Sequence, residues 1–240
     1  MGVNYNPFQV TEGLVLYFDA ANGRSYPRSG TVWNDLSGAT YTGSLINGPT
    51  FSAENFGSFN FDGSNDYVGI PSPSSRWSWT PSGSGLNNVT FELWTKSSDV
   101  DGNYVSKPWN GNGEYNYRIV HNALALQIGA QANSFAFSSI ATGNWTQVCV
   151  VVSSTQFGAY INGTLNVALS NHGITNNTPS SGNFDLDLCL MTLYPYGAYG
   201  WDIPGFSVLG NTALFKIYNR VLNANEVAQN FNALRGRFGI

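Results

Sequence analysis

Alternation is the feature that most constrains what this chain can fold into. In segment after segment, apolar and polar residues exchange places with a period of two. Leu14, Leu16 and Phe18 share one face of the segment 13–19, and Val89, Phe91 and Leu93 oppose Thr90, Glu92, Trp94 and Lys96. The segment 184–190 alternates strictly. An extended backbone points successive side chains to opposite faces, so this period predicts strands with one buried and one wet face. The run 145–152 is almost continuously apolar and predicts a central strand covered on both sides. Further strands are predicted at 58–62, 67–70, 102–107, 115–120, 123–129, 134–138, 156–162, 164–169, 205–209 and 212–218. Turn dipeptides separate them: Asn47-Gly48, Asp62-Gly63, Asp101-Gly102 and Asn162-Gly163. The last predicts a tight hairpin, because Asn and Gly both tolerate positive φ.

One helix is predicted, over about 223–235. Asn223 can cap it, with Glu226 completing a capping box. Val227, Phe231 and Leu234 form its apolar stripe. Arg235 and Arg237 suit the negative end of the helix dipole, and Gly236 can end the helix. Many short strands, one terminal helix, no repeat and no linker predict an all-β, two-sheet antiparallel sandwich over 13–240, preceded by an arm at 1–12.

Composition narrows the function classes. The chain has 240 residues, of which 10% are charged and 15% aromatic, with ten Lys and Arg against fourteen Asp and Glu. Disordered chains carry more charge and fewer aromatics. Ten scattered cations do not build the clustered surface that neutralises phosphates, so no nucleic-acid partner is expected. No apolar run approaches the roughly 18 to 20 residues of a bilayer helix, so no membrane insertion is expected. Residues 1–7 carry neither the basic nor the apolar run of an export signal. Cys149 and Cys189 fall in strand-like segments, either as two buried thiols or as a bridge between strands.

Several segments carry a resemblance. They are 13–19 (Gly-Leu-Val-Leu-Tyr-Phe-Asp), 33–38 (Trp-Asn-Asp-Leu-Ser-Gly), 61–68 (Phe-Asp-Gly-Ser-Asn-Asp-Tyr-Val), 91–94 (Phe-Glu-Leu-Trp), 144–148 (Asn-Trp-Thr-Gln-Val), 160–163 (Tyr-Ile-Asn-Gly) and 217–222 before the helix. In this order they resemble the laminin-G-like, concanavalin A-like lectin/glucanase jelly roll. That resemblance implies the fold but leaves function open, because the group holds lectins, adhesion modules and glycosidases. The tail 230–240 resembles small virion proteins of tailed phages, particularly those infecting cyanobacteria. It implies assembly in a host cytoplasm, exposure on a released particle, and other virion proteins as partners. The corresponding expectation is a virion accessory protein in a homo-oligomeric assembly, decorating a head or joining a tail or fibre. The alternative is a lectin-like adhesin for bacterial surface polysaccharide.

Each group of chemistry-bearing residues also has a plain structural role. Glycosidases of this fold use carboxylates at alternate positions of one strand, as nucleophile and general acid. The nearest pattern, Asp185 and Asp187, lacks a Glu, and position 189 is Cys. Neither zinc spacing, a nucleophile elbow nor a phosphate loop occurs. The chain is therefore expected not to be an enzyme. Asp62, Asn65 and Asp66 share one turn and offer oxygens to calcium, although an Asx turn uses the same atoms for its own backbone. Aromatic candidates for stacking on sugar or on another protein are Trp109, Tyr115 and Tyr117, then Tyr194, Tyr196, Tyr199 and Trp201, with Trp77 and Trp79 beside them. Packing within the sandwich is the third role open to these rings.

Overall fold

The computed structural model describes residues 8–73, 76–81, 86–98, 102–108, 115–120, 125–129, 133–136, 142–175, 177, 186–193 and 207–240. In chain order the first strands are β1 (Leu14–Asp19), β2 (Val32–Asn34), β3 (Thr42–Ile46), β4 (Thr50–Ser52), β5 (Ser58–Asp62) and β6 (Tyr67–Ile70). Next come β7 (Val89–Ser97), β8 (Asn103–Pro108), β9 (Tyr115–Val120), β10 (Ala125–Ile128) and β11 (Asn133–Ala136). The remainder are β12 (Thr146–Val152), β13 (Gln156–Ile161), β14 (Thr164–Asn171), β15 (Leu188–Leu190), β16 (Leu209–Tyr218) and the helix α1 (Ala224–Phe238).

Two eight-stranded sheets result. The first runs β14-β13-β12-β7-β16-β5-β4, with β1 also paired to β16; the second runs β11-β10-β9-β8-β15-β6-β3-β2. The pairings between strands are antiparallel. This is the predicted two-sheet sandwich with a C-terminal helix. Between the sheets lies one large core, in which Phe91, Leu93, Val148, Val150, Phe215 and Ile217 meet Trp33, Val68, Tyr117, Ile119 and Leu190. The β13–β14 turn is the hairpin that the Asn-Gly signal predicts, with φ of 50° at Asn162 and 73° at Gly163.

The first sheet departs from its pattern on its outer face, which is not wet. Thr90, Glu92 and Trp94 are fully buried there, because α1 and residues 8–12 roof the sheet. Trp94 stacks on Phe238 at 4.3 Å and on Phe231 at 5.7 Å. Such ring pairs contribute about 0.5–1.5 kcal/mol each beyond the area they bury. Under the same roof Lys216 Nζ lies 3.3 Å from Glu92, and both side chains are wholly buried. Gln147 and Asn230 donate to the remaining sites on the Glu92 carboxylate, each at 2.8 Å. Asn230 also accepts from the Val10 N–H at 2.7 Å, so the helix and the chain's own N-terminal arm are tied to one buried network.

Two boundaries also differ from prediction. The helix does not end at Gly236. It continues to Phe238 and is capped by Gly239 at φ 73°, because Leu234 and Phe238 both bury themselves against the sheet. The segments predicted as separate strands at 205–209 and 212–218 are, from Leu209 onward, one strand with a register shift between Thr212 and Leu214. Cys149 and Cys189 are both free and buried, one in each sheet. Burial pushes both thiols well up from their ordinary range. Among the described residues, no helix is long and apolar enough to cross a membrane.

Candidate recognition groove

With one sheet roofed by the helix, the openings of the sandwich lie at its rim. The loop between β2 and β3 shapes one of them. Asp35 organises this loop: its carboxylate accepts from the Tyr17 N–H at 2.8 Å and from the N–H and hydroxyl of Ser37 at 2.9 and 2.6 Å. Its own N–H donates to the Tyr41 carbonyl at 3.0 Å. Between them the chain turns sharply at Thr40, with φ 62°. A β-branched residue in the left-handed region is strained, and such strain persists only where the surroundings fix it. The outcome is that Tyr41 stands partly exposed on the wall of a groove of about 510 Å³.

Trp77 forms the buried part of that groove. Its indole N–H donates to the Pro71 carbonyl at 3.0 Å, and its ring meets Tyr41 edge-on at 5.1 Å. Arg76 places its guanidinium 5.1 Å from the centre of the Tyr41 ring. Pro73, Leu86, Val15, Ala39 and the exposed Asn219 complete the lining. Among the described residues, the side chains of Arg76 and Asn219 make no hydrogen bond or ion pair. A partly exposed phenol that carries a guanidinium against its ring, with an amide beside it, offers a sugar an apolar contact and N–H donors. A second groove of about 550 Å³, lined by Phe8, Gln9, Leu14, Tyr17, Leu36 and Ser37, lies on the other side of the same loop. There Tyr17 is engaged with Asp19 and Gln9, and Ser37 with Asp35, while the Gln9 Oε1 is buried without a hydrogen-bond partner.

Several predicted site residues take other roles. Tyr117 is 1% exposed, packs on Phe91 and donates to the Trp77 carbonyl at 2.9 Å, so it is a core residue. Burial pushes its phenol far up from the ordinary range. Tyr115 is 6% exposed, its ring lies under the Arg118 guanidinium, and its hydroxyl donates to Gln127 at 3.1 Å. Neither ring offers a free face, because the alternation of β9 and its irregular register turn both into packed positions. Trp77 and Trp79 are each 1% exposed, and Trp79 Nε1 is bonded to the Asn87 carbonyl. Trp109, Tyr194, Tyr196, Tyr199 and Trp201 lie outside the described residues.

The 62–66 turn takes the Asx form. Asp62 accepts from the N–H groups of Ser64 and Asn65, and Asp66 accepts from the Asp62 N–H. Burial and the neighbouring Asp62 charge raise the Asp66 pKa. Both carboxylates thus accept from backbone amides of the turn, the Asx role that the sequence offered beside calcium. Among the described residues no group of three His, Cys, Asp or Glu could hold a metal. Asp187 is half-buried, and burial raises its pKa while Lys107 draws it down; Asp185 lies outside the described residues. Tyr41, Arg76 and Asn219 were not singled out by the sequence, since three distant segments converge only once both sheets form. The one local signal was an aromatic residue set between Gly38 and Gly43.

A two-layer β-sandwich with an aromatic groove at its rim defines a lectin-like class of domain. The chain belongs to the concanavalin A-like lectin/glucanases superfamily, whose laminin-G-type model matches residues 62–228. Among solved structures it is similar to the Trypanosoma rangeli sialidase in complex with sialic acid, with a TM-score of 0.63 and 14% identity, covering 94% of this chain and 33% of that one. It is also similar to the binding domain of Paraclostridial Mosquitocidal Protein 1, with a TM-score of 0.67, 14% identity and coverage of 94% and 53%. The binding domain of botulinum neurotoxin serotype G gives a TM-score of 0.61, 16% identity and coverage of 91% and 50%. The chain thus spans about a third of the sialidase and about half of each toxin domain. No curated protein matches it in sequence.

These likenesses correct one expectation. The missing acidic pair had pointed away from an enzyme, yet sialidases are among the chains that share this fold. The match covers about a third of those chains, and the missing glucanase pattern does not establish that this chain is not an enzyme. At 14–15% identity the likeness shows the fold alone and assigns no reaction.

Proposed function

We propose that this domain is a glycan-recognition module whose binding site is the Tyr41 groove. The observation that carries the proposal is the convergence of a partly exposed phenol with an unpartnered guanidinium and an unpartnered amide. Membership of a lectin-containing superfamily supports it. A glycan array probed with the protein and with Tyr41→Ala tests it. The native protein is expected to retain a set of oligosaccharides that Tyr41→Ala loses by about tenfold or more, the size of a lost ring-stacking contact together with its desolvation. Addition of a chelator is expected to change nothing, given how Asp62 and Asp66 are engaged. Retention of the same glycans by the variant would refute the placement of the site.

We further propose that the module works on the surface of a phage particle, recognising host polysaccharide. The resemblance of residues 230–240 to virion proteins supports this setting. So does the edge strand β14, which carries no charge and no Pro and exposes Leu165 and Leu169. A charge-free strand at the end of the described sheet is suited to pairing with another protein of an assembly. Particles purified to constant density should contain the chain at fixed copy number, and its absence from them would refute the setting.

A further inference from the structure

We infer that the sugar held in the Tyr41 groove is an acidic one, carrying a carboxylate that pairs with Arg76; this rests on the glycan reading of the same groove. Four observations converge. First, Arg76 is the one charged side chain among the described residues that line the groove, so those residues bring a positive charge to it. Second, Arg220 pairs with Glu226 at 2.6 Å, Arg237 with Asp19 at 2.8 Å, and Arg118 bonds Gln127, whereas of the remaining described arginines, Arg24, Arg28, Arg76 and Arg235, Arg76 is the one that lines this groove. Third, Arg76 has no such match, and its contact is the Tyr41 ring. A guanidinium held against an aromatic ring keeps its N–H donors, and their planar fork fits a carboxylate at two points. Fourth, the other wall offers Asn219, whose amide is free to bond ring hydroxyls.

Electrostatics and packing then divide the work. Tyr41 supplies an uncharged face for the ring of the sugar, and Arg76 selects among sugars by charge. A neutral hexose satisfies the first contact and can offer the guanidinium only hydroxyls. A uronic or sialic-type sugar satisfies both. Because Arg76 is exposed, the selectivity is screened by salt and is largest at low ionic strength.

The test compares each carboxylated oligosaccharide with its own methyl ester, which keeps the ring and removes the charge. Trigalacturonate, a guluronate trimer and sialyllactose are titrated calorimetrically into the protein at low salt, each beside its ester and beside neutral maltotriose and cellotriose. At least one acid is expected to bind about tenfold or more tightly than its ester. That ratio is expected to fall toward one in Arg76→Gln, and also when salt is raised to about 0.5 M. Arg76→Gln should weaken the acid by a larger factor than its ester, whereas Tyr41→Ala should weaken acid and ester alike. Equal binding of acid and ester by the native protein overturns the charge assignment and leaves the glycan reading standing. A ratio that survives Arg76→Gln also overturns it. Failure of every saccharide, acidic, esterified and neutral, overturns both.

Discussion

Thr40 shows how a single residue can record a functional demand. Its φ of 62° places a β-branched side chain where crowding with the following carbonyl costs about 1–2 kcal/mol, and the turn it makes sets Tyr41 into the groove. Glycine pays no such penalty but loses more chain entropy on folding, so Thr40→Gly should stabilise the fold by about 0.5–1 kcal/mol. Urea unfolding measures this, and a loss of stability would mean that the turn is not strained. At the same scale, Lys216 and Glu92 form a buried ion pair at 3.3 Å. Lys216→Met leaves the carboxylate uncompensated beneath the helix and should cost about 3–5 kcal/mol. A change under about 1 kcal/mol would show that Gln147 and Asn230 alone satisfy Glu92. Alternation in β7 disclosed which residues face the core, but it labelled Glu92 and Trp94 as wet. A period of two shows that two faces differ; it does not show what later folds over the second one.

Elements differ in how much of themselves they declare. The start of α1 was legible, because a capping box is written in adjacent residues: Asn223 accepts from the N–H groups of Asn225 and Glu226, and Glu226 accepts back from the Asn223 N–H. Its end was not, because the burial of Phe238 outweighs a glycine two residues earlier. The strands β2, β3 and β4 escaped notice, being three to five residues long and, in β3, holding a glycine. They are strands because their neighbours pair with them. Glu226 also forms a two-point pair with Arg220, with contacts of 2.6 and 2.9 Å, which ties the helix start to the end of β16. That arginine, together with the Asn223 N–H, holds the Glu226 carboxyl below its ordinary value of 4.5. A depressed folded pKa adds stability that is complete above the unfolded pKa and is lost as pH falls through the folded one. The melting temperature of Glu226→Gln should therefore lie below the native one at pH 6 to 7, and the gap should close as acid is added below about pH 4. A gap that stays constant with pH would place the contribution of Glu226 in its shape and not its charge.

At the scale of the molecule, the sandwich was legible and its working surface was not. Strand periodicity and turn dipeptides act locally, so they survive in a sequence without any partner in view. The groove is assembled from the loop before β3, the segment after β6 and the end of β16, whose proximity exists only in three dimensions. Rings prominent in the sequence, Tyr115, Tyr117, Trp77 and Trp79, were drawn inward, since large aromatic side chains bury the most apolar area. Tyr41 stayed partly exposed because its loop is pinned by Asp35 at the rim of the sandwich. Superfamily membership supports the proposed recognition of a saccharide at that rim. The most direct measurement is a crystal structure of the protein soaked with the tightest-binding oligosaccharide. A sugar ring lying against Tyr41 with Arg76 at its edge is the predicted result. A sugar seated away from this groove, on the outer face of the second sheet or at the opposite rim, would contradict it.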